Sequence, residues 1–227
     1  MKLELLQEII KKKSSKKRFA VLKNLSKGKS ELFELENQLS DEFRFHEKEI
    51  KNYYNLKKNG VIDGTKIFIQ NYTKPIEVII VGAVHIAQYL VDFSKNLNLM
   101  ITIIDPREFF TKKQKFENVK IINEWPEKIL KQIQFDNNSA LITLTHDPKI
   151  DDPAIEFSIN NKINYIGCLG SKNTHKKRLN RFEAKGFSNT QLKKLYAPIG
   201  IDINALNPNE IALSIASQIT SHFNEKN

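Results

Sequence analysis

Residues 77–81 read E-V-I-I-V, and the next six read G-A-V-H-I-A. A continuous β-branched run has no polar face. It suits a strand buried on both sides, which is the condition of a parallel sheet covered by helices. The glycine allows a sharp turn, and 85–97 has helical spacing. The same grammar recurs down the chain. M-I-T-I-I-D (100–105), V-K-I-I (119–122), S-A-L-I-T-L-T (139–145) and I-N-Y-I-G (163–167) read as strands. Residues 126–133, 152–160, 171–185, 188–195 and 208–223 read as helices. Repeated β-α-β units predict an α/β fold, a doubly wound parallel sheet with helices on both faces.

The first turn comes close to the dinucleotide fingerprint G-x-G-x-x-G/A, so the predicted sheet is Rossmann-like. Gly82 and Ala87 occupy the first and third small positions, and Val84 stands where the second glycine belongs. That glycine lets the backbone approach a pyrophosphate. A valine side chain there is expected to crowd one, which disfavours NAD bound in the usual way.

Residues 1–74 have a different texture, and the predicted domains are 1–74, small, basic and α+β, and 75–227, Rossmann-like. A helix is expected at about 2–13, strands at 19–22, 31–35 and 66–70, and a charged helix at 46–58. Pro75 ends a linker, 71–75, because proline blocks helix and favours extended chain before it. The net charge of +10 leans toward this front part, which holds 17 Lys+Arg against 10 Asp+Glu. The run K-K-K-S-S-K-K-R at 11–18 reads as a solvated turn. Nucleic-acid sites come with a recognised module or interleaved aromatics, so no nucleic-acid partner is expected. No run of about 18 apolar residues is present, and the first residues read as an amphipathic helix, not a signal peptide. A single cysteine, Cys168, excludes an internal disulfide and makes a cytoplasmic location the expectation.

Open α/β sheets bind ligands beyond the carboxyl ends of their strands. The residues there include Gly82 and His85 after the first strand, and Asp105 and Arg107 after the second. His146 and Asp147 follow the fourth, and Gly170, Ser171, Lys172, Thr174 and His175 follow the fifth. Asp105 lies where a ribose-binding acid belongs, and Arg107 suits a phosphate. In L-T-H-D-P-K-I-D-D-P (144–153), Asp152 before Pro153 reads as a helix N-cap, which leaves His146 and Asp147 for binding. The 167–175 turn offers backbone amides, two hydroxyls and Lys172 to an anion. Cys168 reads as a buried packing thiol, and A-P-I-G-I-D-I (197–203) as a loop-to-strand element with Asp202 facing the site. One cysteine and no H-x-x-x-H or C-x-x-C spacing argue against a protein-held metal.

The ordered series G-A-V-H-I-A, I-D-P-R-E-F, L-T-H-D-P-K-I-D-D-P-A, Y-I-G-C-L-G-S-K-N-T-H, A-P-I-G-I-D-I and P-N-E-I-A-L-S-I resembles the XdhC/CoxI family over about 76–223. These are accessory proteins of molybdenum hydroxylases such as xanthine dehydrogenase. The resemblance implies a Rossmann-like domain that binds the molybdenum cofactor (molybdopterin). It also implies help with sulfuration through a cysteine desulfurase and with insertion into the target enzyme, by a chaperone and not a catalyst. A homodimer is compatible with it. Three departures stand out. Val84 replaces the glycine of G-A-G-H, Lys172 and Asn173 replace the arginines of G-S-R-R-T-H, and Asn204 replaces a glycine. The family's G-S-x-P-R-x-x-G and G-G-x-x-E blocks do not occur in 1–74.

The leading expectation is a non-catalytic molybdopterin-binding and delivery protein. The first alternative is an NAD(P)-dependent oxidoreductase with His146 or His175 as proton donor. The second is a scaffold that docks through its basic front domain.

Overall fold

The computed structural model describes residues 3–15, 17–113, 116 and 119–225. Lys16 of the expected basic turn and the outermost residues of both expected domains lie outside the described residues. The chain divides into two compact units, one up to Pro75 and one from Ile76.

In the first unit, α1 (Leu3–Ser14) precedes β1 (Phe19–Asn24) and β2 (Ser30–Phe33). Then come α2 (Asp41–Arg44), α3 (Glu47–Asn55), β3 (Gly60–Val61) and β4 (Ile67–Tyr72). The sheet is antiparallel in the order β2-β1-β4-β3. Strand alternation sends β1 to two cores. Ala20 and Leu22 join Phe33, Ile69 and the α3 residues Ile50 and Tyr54, while Phe19 and Val21 pack with Ile9 of α1. The described residues of the basic run 11–18 are mostly exposed, as expected, but its first part is helix and some of its side chains have partners. Lys11–Lys13 form the last turn of α1, Lys12 pairs with Glu34 at 2.6 Å, and Arg18 lies 4.1 Å over the Tyr54 ring. Long basic side chains cover apolar surface with their stems and rings with their charge. The expected linker is shortened as well, because Asn71 and Tyr72 continue β4.

The second unit alternates strand and helix. Its strands are β5 (Ile76–Val81), β6 (Leu99–Ile104), β7 (Lys120–Ile122), β8 (Ser139–Thr143), β9 (Tyr165–Cys168) and β10 (Leu195–Tyr196). Between them lie α4 (His85–Ser94), α5 (Glu108–Lys113), α6 (Pro126–Ile129) with a 3-10 turn at Leu130–Gln132, α7 (Pro148–Asn160), α8 (Lys172–Ala184) and α9 (Asn189–Leu192). Helix α10 (Pro208–Glu225) closes the unit. All six strands pair in parallel, in the order β10-β9-β8-β5-β6-β7. This is the doubly wound order, with its reversal between β5 and β8.

Both faces are covered, as the β-branched runs require. Val78, Ile80, Ile103 and Ile142 pack under α4 and α10, whereas Ile79, Val81, Ile104 and Leu141 pack under α7 and α8. Two expectations are corrected here. Helix α7 starts at Pro148, with Asp147 as N-cap, so Asp152 lies inside the helix and Pro153 is an interior proline. Both Asp-Pro pairs carry the capping pattern, and the earlier one wins because Asp147 accepts from the Lys149 amide at 2.9 Å. Residues 197–203 form no strand. The strand is Leu195–Tyr196, just before them, and a cis Ala197–Pro198 bond follows it.

Candidate functional site

Strands β9, β8 and β5 are consecutive neighbours running the same way, so the segments leaving their carboxyl ends emerge along one rim. His85 opens α4 after β5, His146 lies between β8 and α7, and Ser171 caps α8 after β9. The topology thus brings these three expected site residues onto adjacent strand ends. His85 and His146 are both exposed.

The first two loops touch. Gly82 has φ +121°, and a Cβ built on it would lie 2.9 Å from Thr145 Cγ2 and 3.2 Å from the Thr145 nitrogen. Only glycine permits that backbone angle together with that approach. Val84 is in the extended region, φ −96° and ψ 172°, where any residue is at ease. Its side chain is half-buried and packs against the apolar cluster beneath α4. Val84 is also the N-cap of α4 and contributes no capping hydrogen bond. The first amides of this helix are therefore left for a ligand or solvent.

Asp105 ends β6 and is fully buried. One carboxylate oxygen accepts from the Ala83 amide at 2.8 Å and from an Arg107 guanidinium nitrogen at 2.8 Å. The other accepts from the Arg107 amide and Nε, each at 2.9 Å. Both oxygens are thus committed to the protein, and Asp105 braces the first loop from below instead of presenting itself to a ribose. Arg107 is held charged, first by its hydrogen bonds to Asp105 and then by the more distant Asp147 and Asp151. Its guanidinium lies 4.3 Å from the Phe110 ring centre.

The β8 loop carries the strain. His146 is a non-glycine residue at φ +63°. Around it, the Thr145 hydroxyl donates to the Asp151 carboxylate at 2.7 Å and accepts from the Asp147 amide at 3.0 Å. Asp151, one of the residues sequence reasoning missed, is buried. Burial pushes its carboxyl up to about 6, against the opposing pull of Thr145 and Arg178. Asp152 is spent structurally, since Arg181 grips both its oxygens at 2.7 and 2.9 Å.

The β9 loop is built around Ser171. Its hydroxyl accepts from the Thr174 amide at 3.2 Å and lies 3.1 Å from the Thr174 hydroxyl. Gly170, at φ +137°, leaves room for Thr174, whose Cγ2 would be 2.9 Å from an added Cβ. Lys172 is exposed. His175 is half-buried, and burial followed by the charge of Arg178 holds its imidazole toward the neutral form. Cys168 is fully buried, and burial pushes its thiol up to about 12. Asp202 follows the carboxyl end of β10, the parallel neighbour of β9. It is exposed in the loop after the edge strand β10, where its carboxylate accepts from the Asn204 amide at 3.1 Å. Asn204 has φ +55°, so a residue tolerant of the left-handed region stands in for glycine.

Arg178 is the other residue that sequence reasoning missed. It sits in the basic run K-K-R-L-N-R of α8, yet it is 2% exposed. The signal was the spacing of His175, Arg178 and Phe182, which places the arginine on one helical face with a core phenylalanine. Among the described residues, no group of three or more His, Cys, Asp and Glu side chains is placed to hold a metal ion. No helix among them is long and apolar enough to cross a membrane.

Known proteins resemble this chain in sequence and in fold. The XdhC Rossmann domain profile matches residues 78–219. A Bacillus subtilis (strain 168) protein, named as a probable component of xanthine dehydrogenase, is 28% identical over 156 residues, 68% of this chain and 45% of its own length. The molybdenum cofactor insertion chaperone PaoD of Escherichia coli (strain K12) is 33% identical over 88 residues, 39% of this chain and 28% of its own length. The alignments therefore span less than half of either relative. A crystal structure described as a xanthine dehydrogenase from Bacillus halodurans shares the fold, with TM-score 0.72 at 22% identity over 99% of this chain and 69% of that one. The profile match, spanning the sheet from β5 to α10 and every loop of the rim, shows that the chain belongs to the XdhC Rossmann-domain family.

Proposed function

We propose that this protein binds the molybdenum cofactor along the β5–β8–β9 rim and delivers it to a xanthine dehydrogenase-type enzyme, acting as a chaperone and not a catalyst. The names of two relatives, one a cofactor insertion chaperone and one a xanthine dehydrogenase component, support that reading. The observation that carries it is the convergence of His85, His146 and the Ser171 turn on neighbouring strand ends.

The donor set fits molybdopterin, which carries a polar pterin and a phosphate. Amides at the uncapped start of α4 and the imidazoles of His85 and His146 are disposed for the polar ring edge. Ser171, Thr174 and Lys172 suit the phosphate. The cofactor, when bound, supplies the dithiolene and metal chemistry. The protein's own groups orient it, shield it and hold its anionic end. Asp105 and Arg107 act from beneath, fixing the first loop. NAD binding finds less support, because the acid that would hold its ribose is already saturated.

Sulfuration, if this chain takes part, draws sulfur from a partner such as a cysteine desulfurase. The one cysteine has a buried thiol held protonated, and the thiolate is the nucleophilic form. The experiment is titration calorimetry of the full chain with molybdopterin and with NAD(H), paired with transfer of cofactor to an apo-hydroxylase. Tight molybdopterin binding that His146→Ala weakens is the expected outcome. NAD(H) binding in preference to molybdopterin defeats the proposal.

A further inference from the structure

Helix α8 turns the Arg178 side chain and one imidazole nitrogen of His175 inward under its first turns. Arg178 is 2% exposed. One guanidinium nitrogen donates to the Leu169 carbonyl at 2.9 Å, while Nε and Nη1 find no hydrogen-bond partner among the described residues. Nδ1 of His175, one turn earlier, is buried and also without a partner. A buried guanidinium with unspent donors is unfavourable by itself. No carboxylate completes its hydrogen bonds, although its charge acts on Asp151 at longer range. Asp152 is gripped by Arg181, and Asp151 accepts from Thr145.

We propose that Arg178 and His175 form the inner half of an oxyanion site whose outer half is the 170–174 turn, and that its ligand is a phosphate monoester group. Leu169, which anchors the guanidinium, lies two residues before Ser171, so the fork sits against the underside of that turn. On the outer side, the amides of Lys172 and Asn173 have no partner among the described residues, and the Lys172 ammonium is exposed. The 13-residue helix α8 adds the positive end of its dipole. A tetrahedral phosphate has oxygens enough to meet amides outside and the fork inside, whereas a planar carboxylate reaches only one set. The site rests on the proposed function only for the identity of the molecule that carries the phosphate.

Phosphorus NMR and calorimetry of the full chain test it, with inorganic phosphate, phenyl phosphate and acetate as probes. Two substitutions probe the halves separately. Lys172→Pro removes an amide and an ammonium at the first helical position, after the extended Ser171 (φ −69°, ψ 167°), where proline is well tolerated. Arg178→Lys keeps the charge and removes the planar fork. Saturable binding of both phosphates is expected, with acetate at least about tenfold weaker and each variant weakening phosphate by about tenfold. No saturable phosphate binding, or unchanged affinity in Lys172→Pro, overturns the site. Should Arg178→Lys fail to fold, judged by its thermal transition, Lys172→Pro and the acetate comparison decide. Phosphate bound in this pattern without molybdopterin binding removes the proposed function and leaves the site. Molybdopterin bound equally well by wild type and both variants does the reverse.

Discussion

The Ala83 amide donates to the Asp105 carboxylate over 2.8 Å, joining the first loop of the Rossmann unit to the end of the neighbouring strand in a fully buried setting. The acid that could have faced a ribose is thereby made part of the frame. Asp105→Asn takes from the Arg107 guanidinium its hydrogen-bonded counter-charge and leaves only the more distant Asp147 and Asp151. A loss on the order of 3 kcal/mol in urea unfolding is expected. A loss below about 1 kcal/mol would mean that the latch contributes little more than a surface ion pair.

Gly82→Ala meets two obstacles, a φ of +121° and a contact of 2.9 Å with Thr145. Part of that contact is backbone and cannot swing away. The variant is expected to lose about 2–4 kcal/mol of stability and, with the β5 and β8 loops pushed apart, its ligand affinity. Val84→Gly, at an ordinary extended angle, loses only packing and is expected to cost about 1–2 kcal/mol. Urea midpoints of the two variants settle the ranking, and a reversed order contradicts the geometry.

His146 holds a left-handed backbone angle that glycine adopts freely. His146→Gly is expected to raise stability, or leave it level, by up to about 1 kcal/mol. Cofactor transfer is expected to fall in the same protein. Thermal melting and a transfer assay run together read the two effects separately, and full transfer by the glycine variant removes His146 from the rim's binding role.

Asp151 gives the fold a pH dependence of definite sign. Its carboxyl titrates near 6 in the folded protein against 3.8 ordinarily. Between those values the folded state keeps a proton that the unfolded chain has lost, so stability falls as pH rises through the window and the cost is complete above it. The full difference corresponds to about 3 kcal/mol. Asp151→Asn, still able to accept from Thr145, is expected to flatten the stability profile between pH 4 and pH 7, a window set by those two values. An unchanged slope assigns the profile to other groups.

Cys168 has no solvent exposure and its thiol is pushed up to about 12. Ellman's reagent at mildly alkaline pH is expected to react with the native protein only as fast as the fold opens, and at once in denaturant. Rapid labelling of the native state would place the thiol at the surface and reopen a sulfur-carrying role.

Much of this was legible in the sequence. Runs such as E-V-I-I-V could satisfy their two apolar faces only inside a helix-covered parallel sheet, and the strands fell where those runs lie. The rim followed, because the residues after parallel strands share an edge. What stayed hidden depends on side-chain direction. The two Asp-Pro pairs of 147–153 look alike in one dimension, and only Asp147 closes onto the Lys149 amide. Asp105 sits where a ribose acid belongs, but an arginine two residues on turns it inward. Arg178 lies in a lysine-rich stretch whose neighbours face water. Val84 reads as an obstruction because the fingerprint wants glycine there, yet its extended angle requires none and its methyls rest against the core.

The outermost rows of the parallel sheet, β7 and β10, are three and two residues long. The six-residue β5 and β6 are flanked on both sides. So brief a border gives a foreign strand little ladder to extend, and β5 is screened on both sides, although β7 covers β6 only at Thr102–Ile104. In this isoleucine-rich sheet the outline limits amyloid-like stacking, and the exposed Lys120 adds a charge to the β7 margin.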